Sequence, residues 1–529
     1  MNANKTQIFM FISALICIIL PCIMIQGQYL VNGNISWLLI GAERLLDGKK
    51  LSEHIYETNP PLSIIAYTPH VIFSKLLGLP VTVGTFYLTL LFVFISVYTA
   101  HSITKHFDFL TISEQNVFTL SYMLAVTLGT TVFFSEREHF LILALVPMLL
   151  CQYSMARNIN IQKSILIPVM IVGALCIMIK PHYGLLPTIF IIDRMIRLRK
   201  FNVFFDIDFA TLSVITVAYI ASLFIFFSDY INVIFDDVVK LYASNISPII
   251  AINLIKKYMF ACFALLILEI FMEDLNKQKK SFLLFLYLCS LLCLVPYFVQ
   301  MKGFFNHITP VYTFLICSLT LSIAFRVPYF FKRMRFVHTV IPMICIAFFI
   351  HMLTPLSLDF PKQNTIPSLP VAKFLEEECD KPCTFFAFHG DIEIINPTAA
   401  YMGYTHATRF PSMWFIPKIL LGLQSEDQKE RDLYKSLKSK YLRYTADDLE
   451  YYEPSVIMIA SGLQIGKLKS FDFMYFFRDD KKFKSIIDQN YEKLDQFKFN
   501  RGEYFTGTTL EDTHILTYDV YRRKQVTSL

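Results

Sequence analysis

The sequence predicts a polytopic α-helical membrane protein of about eleven transmembrane helices, followed by a water-soluble C-terminal domain of mixed α/β structure. Three observations predict it. Of 529 residues, 55% are hydrophobic and only 17% charged, with mean hydropathy +0.49, well above a soluble globular chain. Apolar runs close to the ~20 residues that cross a bilayer core recur through residues 1–355. Lys and Arg cluster in every second connecting loop, the charge asymmetry of a threaded membrane chain.

The apolar runs are 7–26, 82–104, 116–134, 140–156, 164–179, 205–227, 281–299, 307–325 and 336–354. Two weaker runs complete the set: 183–194, with Pro187, and 252–272, with Lys256 and Lys257. The first run is too long for a removed signal peptide and lacks a small-residue cleavage site, so it reads as a retained helix. With the N-terminus inside, Arg157/Lys163, Arg194/Arg197/Arg199/Lys200, Lys277/Lys279/Lys280 and Arg326/Lys332/Arg333/Arg335 all fall on the cytoplasmic side. The domain at 356–529 then lies in the periplasm. The Ile-, Lys- and Phe-rich composition suits a bacterial inner membrane. The net charge of +6 is a topology signal, not a nucleic-acid footprint.

Nine of the eleven cysteines sit in apolar runs and read as small hydrophobes. Cys379 and Cys383 lie close together in the outer domain. An oxidising compartment makes a short-loop disulfide one reading of them, and two buried thiols the other. One long outer loop spans about 28–81. Within it Trp37, Leu38, Leu39, Ala42, Leu45 and Leu46 recur at helical spacing, with Glu43, Arg44 and Asp47 opposite. That pattern predicts an amphipathic interfacial helix ended by Gly48, before Pro60-Pro61 breaks the chain. In the outer domain, apolar stretches at 384–388, 455–460 and 514–518 predict strands, and 424–441 a polar helix.

Burying charge at a membrane face is expensive, so polar clusters there mark chemistry. Three are expected to meet at the outer face. The first is the long loop, with Asn34, Glu43, Asp47, Glu53, His54 and Glu57. The second is Ser135-Glu136-Arg137-Glu138-His139. The third is Lys180-Pro181-His182-Tyr183. Cations beside carboxylates suit a transfer reaction in which Lys or Arg holds a phosphate while a carboxylate deprotonates an incoming hydroxyl. A solvated turn at 136–139, a snorkelling Lys180 and a plain polar helix face at 43–47 are the bland alternatives.

Four local patterns resemble the GT-C superfamily of glycosyltransferases that use lipid-linked sugars, which includes the protein O-mannosyltransferases and the aminoarabinose transferase of lipid A. They are Ala42-Glu43-Arg44-Leu45-Leu46-Asp47-Gly48 followed by Tyr56-Glu57-Thr58-Asn59-Pro60-Pro61-Leu62; Arg137-Glu138-His139; Lys180-Pro181-His182-Tyr183-Gly184-Leu185-Leu186-Pro187; and Thr408-Arg409-Phe410-Pro411-Ser412-Met413-Trp414. The resemblance implies a polyprenyl-phosphate sugar as donor and a glycan, lipid or protein as acceptor. It implies an inverting displacement, with Lys180, Arg137, His139, His182, Lys256 and Lys257 on the donor phosphate. Glu138, Glu136 or Glu57 would act as base. The family places an acidic residue near the start of the first outer loop, and here Asn34 is the nearest match. An amide cannot accept a proton at neutral pH. Another carboxylate takes that role, or the correspondence is shifted, or this copy is inactive. No motif demands a cofactor, and a divalent metal stays open because the superfamily includes metal-dependent members. The alternative is a non-catalytic transporter or assembly component for lipid-linked glycans; against it, no internal repeat is visible. A third reading gives the work to the soluble tail, where His389-Gly390-Asp391-Ile392-Glu393 is the one acid-rich spot and reads first as a strand exit.

Overall fold

The computed structural model describes residues 2–28, 31–199, 201–242, 248–330, 363–390, 392–393, 395–461, 463–465, 468–500 and 515–524. Packing sorts the chain into two compact units that interleave along the sequence. Unit one is Met1–Gly27, Phe86–Ser222 and Asn245–Leu356; unit two is Gln28–Thr85, Leu223–Ser244 and Ser357–Leu529.

Unit one is helical. Among the described residues, six helical segments are long and apolar enough to cross a membrane: Phe9–Gln28, Val81–Thr104, Arg137–Ala156, Ile207–Ile225, Lys277–Gln300 and Phe305–Arg326. The expected count of about eleven is not confirmed. Lys163–Ile179 is apolar but only 17 residues long. The run at 116–134 is a helix only over Ile112–Val126; it then tightens into a 3-10 turn at Leu128–Phe133, where Thr131 has φ 49°. The run at 336–354 lies outside the described residues. Arg137–Ala156 and Phe305–Arg326 are the inner helices of the unit, whereas Ile207–Ile225 is almost wholly exposed, as suits a lipid-facing position. Close packing of the inner helices uses small residues. A Cβ on Gly173 would come within 2.5 Å of Met148 Sδ, so Lys163–Ile179 meets Arg137–Ala156 through a bare backbone.

Polar side chains of this unit collect at helix ends. At one end, Lys279 Nζ meets Glu114 Oε1 at 2.6 Å, and Arg157 Nη2 donates to Ser281 Oγ. Arg326 holds Glu269 and Asp274 at 3.0 and 2.7 Å. Arg194 is buried on Asp208 at 2.8 Å. The helix Arg137–Ala156 has its other end at Arg137.

Unit two is built around a five-stranded sheet. Its strands are β1 (Thr384–Phe388), β2 (Thr405–His406), β3 (Val456–Ser461), β6 (Tyr491–Asn500) and β7 (Ile515–Arg523), in the order β2-β1-β3-β7-β6. A separate two-stranded ribbon pairs β4 (Leu463–Ile465) with β5 (Leu468–Phe471). β1 runs parallel to β2 and β3; β7 runs antiparallel to β3 and β6. Phe385 to Phe388 are all buried, the continuous apolar run of a strand covered on both faces. The polar helix predicted at 424–441 is Gln428–Tyr452. Cys379 and Cys383 are joined in a disulfide with Cα atoms 5.3 Å apart.

The first-loop helix, Gly33–Leu46, departs from expectation. Asn32 caps it, accepting from Ile35 N at 2.9 Å, and Gly48 at φ 76° closes its C-terminal turn. It is not an interfacial helix with one wet face. Gly33, Ile35 to Ala42 and Arg44 are all buried, because the helix packs inside unit two against Ile395–Met402 and Thr68–Leu77. Its N-terminus touches backbone: a Cβ on Gly33 would stand 2.2 Å from the Ile392 carbonyl oxygen. Arg44 carries its charge into that interior and donates to the carbonyls of His54 (2.8 Å), Thr408 (2.6 Å) and His406.

Candidate active site

The site is assembled at the Arg137 end of unit one. A turn with two residues at positive φ, Thr131 and Ser135 (71°), delivers the chain into helix Arg137–Ala156. Such backbone is held only by surrounding contacts. Here Ser135 N donates to His139 Nδ1 at 3.0 Å, and Ser135 Oγ bonds Thr89 Oγ1 at 2.9 Å. His139 Nε2 lies 2.8 Å from the Val126 carbonyl oxygen. With Nδ1 accepting, that nitrogen carries the proton; the tautomer is assigned from these bonds. Both ring nitrogens are thus spent on backbone, so His139 braces the turn and is not available to a phosphate.

Glu138, in the first turn, is fully buried. Lys180 Nζ lies 3.0 Å from its Oε1, and His307 Nε2 lies 3.4 Å from the same atom. Asn306 Nδ2 donates to Oε2 at 3.1 Å. Lys180 comes from the break between Lys163–Ile179 and the 3-10 turn Pro181–Gly184; Asn306 and His307 come from the 3-10 turn Phe305–Ile308. Glu136 and Arg137 are buried beside the pair and act on Lys180 through space. Tyr183 Oη donates to the His307 carbonyl at 3.1 Å and ties two of the turns together. His182 Nε2 lies 2.8 Å from Gln300 Nε2. Burial, with the Lys180 charge adding to it, pushes His182 down to about 4. It is therefore neutral at pH 7 and offers a hydrogen bond rather than a charge.

Of the residues singled out in the sequence, the structure brings Glu138, Lys180, Arg137, Glu136 and His182 together. Lys256 and Lys257 are exposed on helix Pro248–Phe271. Asn306, His307 and Gln300 were missed. Their signal was present: a polar Asn306-His307 pair at the end of an apolar run, the same rule that picked out Lys180.

Glu57 and Asn34 belong to unit two. Glu57 accepts from the Trp37 indole Nε1 at 2.8 Å and from Asn59 N at 2.9 Å, and it also bonds the Asn59 side chain. Its carboxylate therefore organises the turn before Pro60-Pro61 within its own unit. The helix cap is Asn32 rather than Asn34, and Gly33 N donates to Glu393 Oε2 at 2.9 Å. The fourth motif, Thr408 to Trp414, is the seam between loop and tail inside this unit. Tyr56 N donates to the Arg409 carbonyl at 2.7 Å, and Arg409 Nη1 donates to the Ser52 carbonyl at 3.0 Å. Arg409 Nε meets Asp448 Oδ1 at 2.8 Å. Burial pushes the Asp448 carboxyl up to about 6, against the pull of Arg409. Asp237, from the segment Asp236–Leu241, accepts from Tyr441 Oη at 3.1 Å and also bonds Tyr56 Oη; Lys440 Nζ lies 2.8 Å away.

Among the described residues no group of three or more His, Cys, Asp or Glu is arranged to hold a metal ion. No protein-family model matches the sequence, and no curated protein matches it. The crystal structure of ArnT from Cupriavidus metallidurans in the apo state is similar to this chain with a TM-score of 0.45 and 11% identity. The match covers 87% of this chain and 93% of that one, a likeness too distant to give any residue a role.

Proposed function

We propose that the chain is a GT-C-like membrane glycosyltransferase, moving a sugar from a polyprenyl-phosphate donor to a cell-envelope glycan, lipid or protein acceptor at the periplasmic face. One observation carries the reading: a buried carboxylate, Glu138, clamped by Lys180, His307 and Asn306 at one end of an apolar helical unit. Burying an ion pair costs several kcal/mol of desolvation per ion, and in a membrane protein such groups mark a working site.

In this mechanism the donor phosphate takes Lys180 away from Glu138, with Arg137 adding the second cation. Released from its lysine, Glu138 accepts the proton of the acceptor hydroxyl. The hydroxyl oxygen forms its bond to the anomeric carbon as the carbon–oxygen bond to phosphate breaks. The electron pair leaves on the phosphate, which Lys180 and Arg137 stabilise. The result is inversion without a glycosyl-enzyme intermediate. His307 and Asn306 are positioning residues, because they act through Glu138.

The test is release of polyprenyl phosphate by purified protein in proteoliposomes with a polyprenyl-phosphate sugar and an envelope acceptor fraction. Transfer by wild type and its loss in Glu138→Gln are expected. A Glu138→Gln protein with wild-type rates removes this residue from the mechanism. No turnover in wild type, with bound lipid-linked glycan instead, favours the transporter reading.

A further inference from the structure

His307 uses one ring nitrogen on Glu138 and turns the other into the protein interior. It stands in the 3-10 turn Phe305–Ile308, and its backbone is tied on both sides. His307 N donates to the Phe304 carbonyl at 3.3 Å, and Tyr183 Oη donates to the His307 carbonyl at 3.1 Å. The Phe304 ring packs edge-on against the imidazole, with centroids 5.9 Å apart. Nε2 faces Glu138 Oε1 at 3.4 Å. Nδ1 is buried, and among the described residues no group hydrogen-bonds it. His139, in the same site, differs: its ring nitrogens meet Ser135 N and the Val126 carbonyl.

Buried polar atoms are nearly always partnered, because an unmade hydrogen bond leaves the cost of desolvation uncompensated. The chemistry of the ring says which partner fits Nδ1. An ionised Glu138 can only accept, and Lys180 already lies 3.0 Å from the same oxygen. Nε2 is therefore assigned the proton, which leaves Nδ1 a bare lone pair. A lone pair repels a phosphate oxygen, which is itself an acceptor. The proton of the attacking hydroxyl goes to Glu138. What remains within reach of this carboxylate is an O–H or N–H on the transferred sugar.

We propose that His307 Nδ1 accepts a hydrogen bond from one hydroxyl or amino group of the transferred sugar, so that His307 determines which sugar is moved. The inference rests on the proposed function, that a lipid-linked sugar is transferred at Glu138. Nε2 positions the carboxylate; Nδ1 reads the sugar. A site that hydrogen-bonds a substrate hydroxyl rejects an analogue lacking it far more strongly than an apolar pocket rejects a misfit, because the buried partner is then left unpaired.

The experiment uses the full-length protein in proteoliposomes with an envelope acceptor fraction. The donors are polyprenyl-phosphate glucose, galactose, mannose, xylose and arabinose, then the mono-deoxy analogues of the sugar transferred best. In wild type, one mono-deoxy donor is expected to lose at least about 30-fold in kcat/KM. Two substitutions separate the roles of the ring. His307→Gln keeps an N–H where Nε2 faces Glu138 and puts no polar atom at the Nδ1 position; His307→Asn does the reverse. His307→Gln should transfer the parent and that deoxy sugar within about threefold of each other, the loss of coupling that a double-mutant cycle reads. His307→Asn should slow every donor alike and keep the wild-type preference. If His307→Gln is misfolded, His307→Phe replaces it: it fills the ring's volume without either nitrogen, and the preference should again disappear. A wild type that moves all mono-deoxy donors alike would overturn the inference and leave the glycosyltransferase reading in place. So would a His307→Gln protein that keeps the preference, the result expected if an enclosed water satisfies Nδ1. No transfer from any donor by wild type would defeat the glycosyltransferase reading, and this inference with it.

Discussion

Two of the molecule's buried ion pairs, one from each unit, are built differently. In unit two, Arg409 and Asp448 are locked at 2.8 Å, and the partners are sequestered by backbone as well: Asp448 Oδ2 accepts from Arg409 N at 2.9 Å, and Arg409 Nη1 reaches the Ser52 carbonyl. The pair stitches loop to tail and leaves a ligand no role. In unit one, one carboxylate is shared by three side chains from two other turns, Lys180, His307 and Asn306. Lysine is a compact point charge that can exchange partners, whereas arginine is a fixed fork suited to a permanent clamp. A buried pair is thus not in itself a sign of chemistry; what matters is whether its partners can be exchanged for substrate.

That contrast can be broken by exchanging the roles. The largest expected effect is on rate. Glu138→Gln should lower kcat by roughly 10²–10⁴-fold, the usual worth of a general base, with a smaller shift in melting temperature than any variant of the Arg409 pair. Initial rates and thermal unfolding on the same samples check it. Arg409→Met takes the guanidinium away from buried Asp448, which keeps only the Arg409 backbone N–H and the Thr408 hydroxyl as partners. It should cost unit two about 3–5 kcal/mol. Both tryptophans, Trp37 and Trp414, belong to unit two, so indole emission during urea unfolding reads that unit directly.

Gly33→Ala comes next. The new methyl would meet the Ile392 carbonyl at 2.2 Å, and overpacking of this kind costs about 1–3 kcal/mol. The same emission should shift, while a comparable change at exposed Gly78 should do less. The smallest effect is on pH dependence. His406 is buried, and burial, then the charges of His389 and Arg44, hold its pKa well below the ordinary 6.5. The unfolded chain therefore takes up a proton that the folded chain refuses. This contribution is complete above pH 6.5 and is lost as pH falls below it. Asp448, raised to about 6, works the other way: its folded form keeps a proton the unfolded form gives up, so its contribution shrinks as pH rises from about 4 to about 6. His406→Phe, which keeps a ring stacked on Phe385, should lose less stability than wild type between about pH 7 and pH 6, where Asp448 contributes least.

Much of this was legible because the membrane makes the rules strict. Long apolar runs had to be helices, and a charge such as Lys180 at the end of one had to be paired or working. β1 was legible for a related reason: a strand covered on both faces spells itself as an unbroken apolar run. The first-loop helix was misread because Trp37, Leu38, Leu39 and Arg44 have the same spacing whether one face meets lipid or the whole surface meets protein. Only the tail, far along the chain, buries Arg44, through the His406 and Thr408 carbonyls. Periodicity likewise does not reveal that the Trp37 indole donates to a Glu57 oxygen. Asn306 and His307 were legible by the rule that singled out Lys180, a polar pair at the end of an apolar run, but a histidine there carries no spacing signature to draw attention to it. Mean hydropathy also does not detect that the run at 116–134 trades its α-helix for a tight turn at Leu128–Phe133.

The measurement that bears most directly on the exchangeable pair is an electron-microscopy density for the full-length protein with polyprenyl phosphate bound. The account predicts phosphate oxygens at hydrogen-bonding distance, about 2.7–3.2 Å, from Lys180 Nζ, with the Lys180–Glu138 contact opened to admit them. A phosphate bound nowhere near Lys180 or Arg137, with that contact still closed, would contradict it.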